Sequence, residues 1–166
     1  MPVDSEREEC YVGKNNSLDA ALDALEEACG DLTPIKERIK THYIETPSWA
    51  YGDGGTRFKV FSQKGAARTP LEKIADAAFV HRLTGVAPSV AIHIPWDKVD
   101  DFSELAAYAE DQGVRIGAVN PNLFQDDEYK LGSLTHEDPA VRTRALDHLL
   151  ECIEIGESVG SSVLSL

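Results

Sequence analysis

Apolar positions along the chain switch between a helical and an alternating period. "SLDAALDALEEACG" carries Leu18, Ala21, Leu22, Leu25, Ala28 and Cys29 on one helical face, with Ser17 placed to cap and Gly30 to stop it. "TPIKERIK" predicts a second, short helix with Thr33 as cap and Pro34 in the first turn. "HYIETPSWA" is β-branched and aromatic and reads as a first strand. The glycine-rich "YGDGGTRFKVFSQKGAAR" reads as a long loop, one that still carries Tyr51, Phe58 and Phe61. "TPLEKIADAAFVHRLTG" opens with Thr69 and Glu72 at capping-box spacing and ends at Gly85, which predicts a helix. "SVAIHIPW" follows as a second strand, "DFSELAAYAEDQG" as a helix from Asp101 to Gly113, and "VRIGAVNP" as a third strand. A polar loop over 122–137 leads to "DPAVRTRALDHLLECIEIGESVG", a helix capped by Asp138 with Val141, Ala145, Leu149 and Ile153 in a stripe. "SSVLSL" completes the pattern as a fourth strand.

After a helical preface the order is therefore β-α-β-α-β-α-β. Strands joined through helices of this length need crossover connections and a parallel sheet. Two architectures satisfy that order, an open doubly wound sheet and an eight-stranded (β/α) barrel. Neither GxGxxG nor GxxxxGK[ST] follows the first strand, which removes support for the nucleotide-binding version. Aromatic, polar and glycine residues collect in the loops after strands one to three. In a barrel those loops form the rim that carries the active site. The expected division is a flexible acidic arm plus helical extension over 1–40, and an α/β unit over 41–166 made of about four parallel strands and three crossover helices.

Charge narrows the choice of partners. The 166 residues carry a formal net charge of -13, a field that repels nucleic acids and anionic membranes. A dense carboxylate coat with few lysines also fits a high-salt habitat. Three widely spaced cysteines, Cys10, Cys29 and Cys152, show no CxxC or zinc spacing and point to reduced thiols in a cytoplasm. "MPVDSEREEC" lacks the apolar segment of a signal peptide, and no apolar run is long enough to span a membrane.

Candidate chemistry gathers at the predicted strand ends. On "SVAIHI" Val90, Ile92 and Ile94 point one way, Ala91 and His93 the other. His93 thus looks into the mouth of a barrel, where a histidine is either a hydrogen-bonded structural residue or a catalytic group. Trp49, at the end of strand one, is either core or a flat wall for a sugar. Trp96 and Phe124 lie just past strands two and three and line the same mouth or cover the rim. Asp126, Asp127 and Glu128 form an acidic loop cluster, a pattern that is usually solvated and only occasionally metal-binding. Glu45 falls inside the sheet or at its edge. His42, His81, His136 and His148 have no HExxH spacing, and no GxSxG is present. The residues amount to a sugar-sized rim of aromatics and histidine, with no complete catalytic constellation.

Four segments carry a resemblance: "PSWAYGDGGTRFKVF", "HRLTGVAPSVAIHIPWDKVDD", "GVRIGAVNPNLFQDDEYKLGSLTHEDPAVR" and "ALDHLLECIEIGESVGS". In order and without large gaps, they resemble the N-terminal portion of the bacterial L-rhamnose isomerase family, metal-dependent (β/α)8 TIM-barrel sugar isomerases of broad substrate range. The resemblance covers about 41–166. It implies the N-terminal half of such a barrel, a monosaccharide substrate, and interconversion of an aldose and a ketose with two divalent ions, typically manganese. It implies a homotetramer with no nucleic-acid or membrane partner. It places Trp49 against the sugar, His93 on the ring oxygens where it assists ring opening, Phe58 on a loop that closes over a neighbouring subunit's site, and Phe124 in the pocket wall. The family's metal ligands stand on the fifth and later strands, so none is expected within these residues, and the chain alone is expected to be inactive. "SSVLSL" corresponds to the family's fourth strand, so the chain is expected to be an N-terminal piece. Such a piece would leave Val90, Ile92, Val119, Val163 and Leu164 on or near bare apolar surface. A related xylose-isomerase-like isomerase or epimerase, and a non-catalytic half-barrel binding module, are the alternatives.

Overall fold

The computed structural model describes residues 16–55 and 60–166. The chain divides after His42 into two compact units. The first contains helices α1 (Asn16–Cys29) and α2 (Thr33–Lys40), tied by an ion pair between Glu26 and Lys36. The described part of helix α1 runs from Asn16, so Ser17 lies inside it and not at its cap. Thr33 is also inside its helix. Leu32 holds the cap position without a side-chain bond, and the Asp31 carboxylate accepts from the Thr33 N–H at 2.9 Å instead.

The second unit holds strand β1 (Glu45–Pro47), a 3-10 turn (Ser48–Ala50), strands β2 (Gly54–Gly55) and β3 (Val60–Phe61), and helix α3 (Pro70–Thr84). Strand β4 (Ser89–Ile94), helix α4 (Phe102–Asp111), strand β5 (Arg115–Pro121), a 3-10 turn (Asp127–Leu131) and helix α5 (Pro139–Ser158) follow. The sheet runs β1-β4-β5 and is parallel throughout, as helical crossovers require. The expected fourth strand is reduced to one parallel bridge, Val119 with Leu164, held by bonds of 3.0 Å from the Val119 N–H to the Val163 carbonyl and from the Ser165 N–H to the Val119 carbonyl. The expected long loop also carries a short antiparallel pair, β2 with β3.

The helices end where the capping chemistry dictates. Thr69 and Glu72 form the reciprocal capping box of α3, while Asp101 and Asp138 cap α4 and α5. Gly85 takes the left-handed conformation at the end of α3, with φ 71°. One face of the sheet is covered by these helices. Val90, Ile92, Ile94, Ile116 and Val119 pack there with Ile74, Ala77 and Ala78 of α3, Leu105 and Ala109 of α4, and Cys152 and Ile155 of α5. Each fully buried aliphatic side chain in such a core contributes about 1.5–3 kcal/mol. This corrects the expectation of bare surface at Val90, Ile92 and Val119, which are 0%, 1% and 0% exposed because their alternation turns them toward the helices. Val163 is exposed and Leu164 half-buried.

Strand β5 contains a register irregularity. Val90 pairs with Ile116, but Ile92 pairs with Val119, so β5 holds one residue more than β4 across this interval. The Ala118 N–H donates at 3.0 Å to Glu45 Oε1, and the Ser89 hydroxyl bonds the other oxygen of that carboxylate. Gly117 lies directly beneath the Glu45 carboxylate, and a Cβ there would fall on its oxygen and on Ser89 Oγ. Gly117→Ala should therefore lower the stability of the second unit by about 1–3 kcal/mol, read as a fall in the urea midpoint. An unchanged midpoint would show that Glu45 moves aside without cost.

Candidate functional site

The C-terminal ends of β1, β4 and β5 deliver the candidate residues to one place. Pro47 ends β1 and the 3-10 turn swings Trp49 over the sheet end. Strand β4 ends at Ile94, the Ile94–Pro95 peptide is cis, and Trp96 follows. Strand β5 ends at Pro121, just before Leu123 and Phe124. His93 stacks on Trp96 with ring centroids 3.7 Å apart and planes 18° apart. Trp49 meets His93 edge-on at 5.5 Å, and Phe124 does so at 5.9 Å. These rings, with Asn120, Pro121 and Leu123, line a concavity of about 280 Å³. That is at the small end for ligand pockets, and its apolar walls with a few polar groups are the usual composition.

The irregularity in β5 decides which of its side chains reach this concavity. It sets Ile116 and Val119 together against the helices and puts Asn120 opposite His93. The Asn120 amide donates at 3.1 Å to the Ile92 carbonyl. Trp96 donates its indole N–H to Gln125 Oε1 at 3.0 Å, and Asn122 donates to the same oxygen at 2.9 Å. Trp96 and Phe124 are 41% and 66% exposed, which leaves two aromatic faces open at the rim.

Beneath the rings lies a buried charge pair. Asp97 is fully buried and Lys73, from α3, nearly so. Lys73 Nζ reaches Asp97 Oδ1 at 2.6 Å. The other carboxylate oxygen accepts from the Ser48 hydroxyl and, at 2.8 Å, from the His93 N–H. The Asp97 N–H in turn donates to the His93 carbonyl at 2.8 Å. His93 is 4% exposed, and its Nδ1 has no partner among the described residues. Burial pulls its pKa down to about 4; Asp97 opposes the shift, while His148 and Lys73 add to it. The imidazole is accordingly neutral near pH 7, with one nitrogen able to donate and the other to accept.

Of the residues singled out in the sequence, Trp49, His93 and Phe124 are brought together, with Trp96 beside them. Phe58 lies outside the described residues. The acidic loop cluster is used otherwise: Arg144 pairs with Glu128, and Asp126 caps the 3-10 turn by accepting from the Glu128 N–H at 3.0 Å. Among the described residues no group of three His, Cys, Asp or Glu is placed to hold a metal ion. Cys152 Sγ comes within 3.8 Å of His148 Nε2, but burial pushes its thiol up to about 11, so it remains protonated and a poor nucleophile. No described helix is long and apolar enough to cross a membrane. Sequence reasoning missed Lys73, Asp97 and Asn120. The glycine inside "VRIGAVNP" was the available signal for Asn120, since a glycine within a strand often marks a bulge.

This arrangement can be set beside known proteins. The chain is 40% identical over 141 residues to a probable sugar isomerase of Rhizobium meliloti, which covers 82% of this chain and 33% of that protein. It is 41% identical over 137 residues to a probable sugar isomerase of Mesorhizobium japonicum, covering 80% of this chain and 32% of the relative. A xylose isomerase of Thermus thermophilus matches 54 residues at 35% identity, which is 32% of this chain and 14% of the relative. This chain is similar to sugar isomerases. It spans about a third of the length of the two probable sugar isomerases it matches. No family model matches it.

The neutral state of His93 has a measurable consequence. Unfolded, its imidazole titrates near 6.5; folded, near 4. Between those values the unfolded chain takes up the proton more readily, so stability falls as pH drops through about 6.5 and the loss is complete near 4. The shift corresponds to at most about 3 kcal/mol. His93→Phe, which keeps a ring against Trp96, should lack this component. Urea midpoints at pH 7.5 and 4.5 check it; an identical pH dependence in variant and wild type would place the acid sensitivity elsewhere.

Proposed function

We propose that this chain is the N-terminal part of an aldose–ketose isomerase of the L-rhamnose isomerase type and that it supplies one wall of the sugar pocket. The observation that carries the reading is the union of Trp49, His93, Trp96 and Phe124 at the C-terminal ends of parallel strands. In a (β/α) barrel that end is where substrate is handled. The kinship with proteins named sugar isomerases supports the substrate class.

Each residue has a physical role in this reading. The indole faces of Trp49 and Trp96 pack on the C–H face of the sugar and exclude water from it. His93, neutral at working pH, exchanges hydrogen bonds with the ring oxygen and its hydroxyl, and moves a proton there as the ring opens. Asn120 offers an amide beside it. Phe124 closes the outer edge. Phe58 would close a neighbouring subunit's pocket in a homotetramer. A divalent ion such as manganese, held in a whole protein of this type, would supply Lewis-acid stabilisation of charge on the substrate oxygens. The described residues of this segment do not fit that ion, for want of three converging ligands. The reading assigns the ligands to later barrel strands of a whole protein, and assigns sugar contact and ring opening to the residues here.

Both tryptophans of the chain lie in the wall, so tryptophan emission, excited selectively, reports on it alone. L-Rhamnose should perturb the emission with a Kd on the order of millimolar, and His93→Phe should weaken binding by about tenfold through loss of its hydrogen bonds. The purified 166-residue chain with manganese should not convert L-rhamnose. Absence of any sugar response, or measurable metal-dependent conversion by this chain, would overturn the reading. The local match to a xylose isomerase supports a second version, the same wall with D-xylose preferred. Relative affinity for the two sugars separates them.

A further inference from the structure

The geometry points to Asp97, held by Lys73, as the positioning residue that aligns the three rings of the sugar wall. The inference rests on the sugar-pocket reading, deepens it, and concerns a side chain that does not line the pocket. Three bonds converge on one carboxylate, each from a different element. The Ser48 hydroxyl comes from the turn that carries Trp49, so its bond fixes the residue immediately before that indole. The His93 N–H, at 2.8 Å, fixes the backbone that projects the imidazole. Lys73 Nζ, at 2.6 Å, comes from α3 and neutralises the buried charge. Trp96 immediately precedes Asp97 in the chain, and the Asp97 N–H closes on the His93 carbonyl. His93 is thus gripped through both its N–H and its C=O by a single residue.

The alignment is demanding. The imidazole–indole stack at 3.7 Å leaves no room for a rotated backbone, and the other indole approaches at 5.5 Å. A buried carboxylate stripped of any of these donors carries an unsatisfied lone pair, so the three elements are locked together, not merely adjacent. Oxygen acceptors of the right shape suffice for the Ser48 and His93 bonds. The full charge is needed only to answer Lys73. Removing both charges while keeping an acceptor therefore preserves the wall, whereas removing the acceptor releases it.

The test follows the His93 ring by NMR in the full 166-residue chain, assigned by its loss in His93→Phe, together with tryptophan emission and sugar titration. Asp97 itself raises the His93 pKa and Lys73 lowers it, so both charges are removed together in each variant. In Asp97→Ala with Lys73→Gln the ring opens to solvent and its pKa rises by at least about one unit toward 6.5, emission shifts to the red, and sugar affinity falls at least about tenfold. Asp97→Asn with Lys73→Gln, whose side-chain oxygen can accept from the new amide, keeps the His93 pKa near its wild-type value and holds sugar affinity within about threefold. A residue that merely fills space would give neither the rise in the first pair nor the rescue in the second. An unshifted His93 in the folded Asp97→Ala pair overturns the inference. Should that pair not fold, the Asp97→Asn pair decides: a His93 pKa near 6.5, or failure to fold, overturns it. The titrations need no sugar. A wild-type chain that ignores sugar while His93 behaves as described would sink the sugar reading and leave the positioning role standing.

Discussion

A carboxylate with no access to water must find its hydrogen bonds inside the protein, and Asp97 is the point around which the mouth of this sheet is arranged. Its partners are one ammonium, one hydroxyl and one backbone N–H. Burying such a group costs several kcal/mol unless it is fully paired. Every partner is supplied by a different part of the chain, so the pairing cannot be completed until α3, the turn after β1 and the end of β4 have all docked. Helix α3 does two things in consequence. Ile74, Ala77 and Ala78 seal the core against β4, and Lys73, one residue from Ile74, delivers the cation to the mouth.

A second carboxylate, this one half-buried, works toward the opposite end of the sheet. Glu45 spans from β1 to β5, bonding the Ser89 hydroxyl and the Ala118 N–H that the extra residue in β5 leaves without a ladder partner. Gly117 makes room for it. The consequence reaches the mouth: the shifted register places Asn120 beside His93 and keeps Val119 in the core. One acid thus governs which side chains of β5 face the pocket, and the other governs how the rings of β1 and β4 meet there.

The result is a wall with pronounced chemical character. Two indoles and a phenyl supply flat apolar area, and a neutral imidazole supplies one donor and one acceptor in a dry setting. That combination suits a polyhydroxylated ring with C–H faces better than an anionic ligand, and the carboxylate surplus of the chain agrees. The same burial that keeps His93 neutral makes it sensitive to acid, because protonation and dry packing are incompatible.

Local order was legible in the sequence where it depends on neighbours along the chain, the Ser17 and Thr33 caps excepted. The capping box of Thr69 and Glu72, the Asp101 and Asp138 caps and the left-handed Gly85 follow from side chains bonding backbone a few residues away. The alternation in "SVAIHI" likewise set His93 on the face opposite Val90, Ile92 and Ile94. What failed was long-range. "SSVLSL" has a strand's composition, yet only Leu164 forms a bridge, because strand formation depends on a paired neighbour and not on propensity alone. The expectation of bare surface at Val90, Ile92 and Val119 assigns their cover to further barrel strands, whereas the helices of this unit supply it. Asp97 and Lys73 escape notice in the sequence, since 24 positions separate them and nothing local announces a bond between them. The sequence by itself determined the helices, the first three strands of the parallel sheet and their order along the chain, through short-range bonding and periodicity. Only the tertiary structure decided the register of β5, the burial of Asp97 and the meeting of the rings, because each depends on groups far apart in sequence being desolvated together.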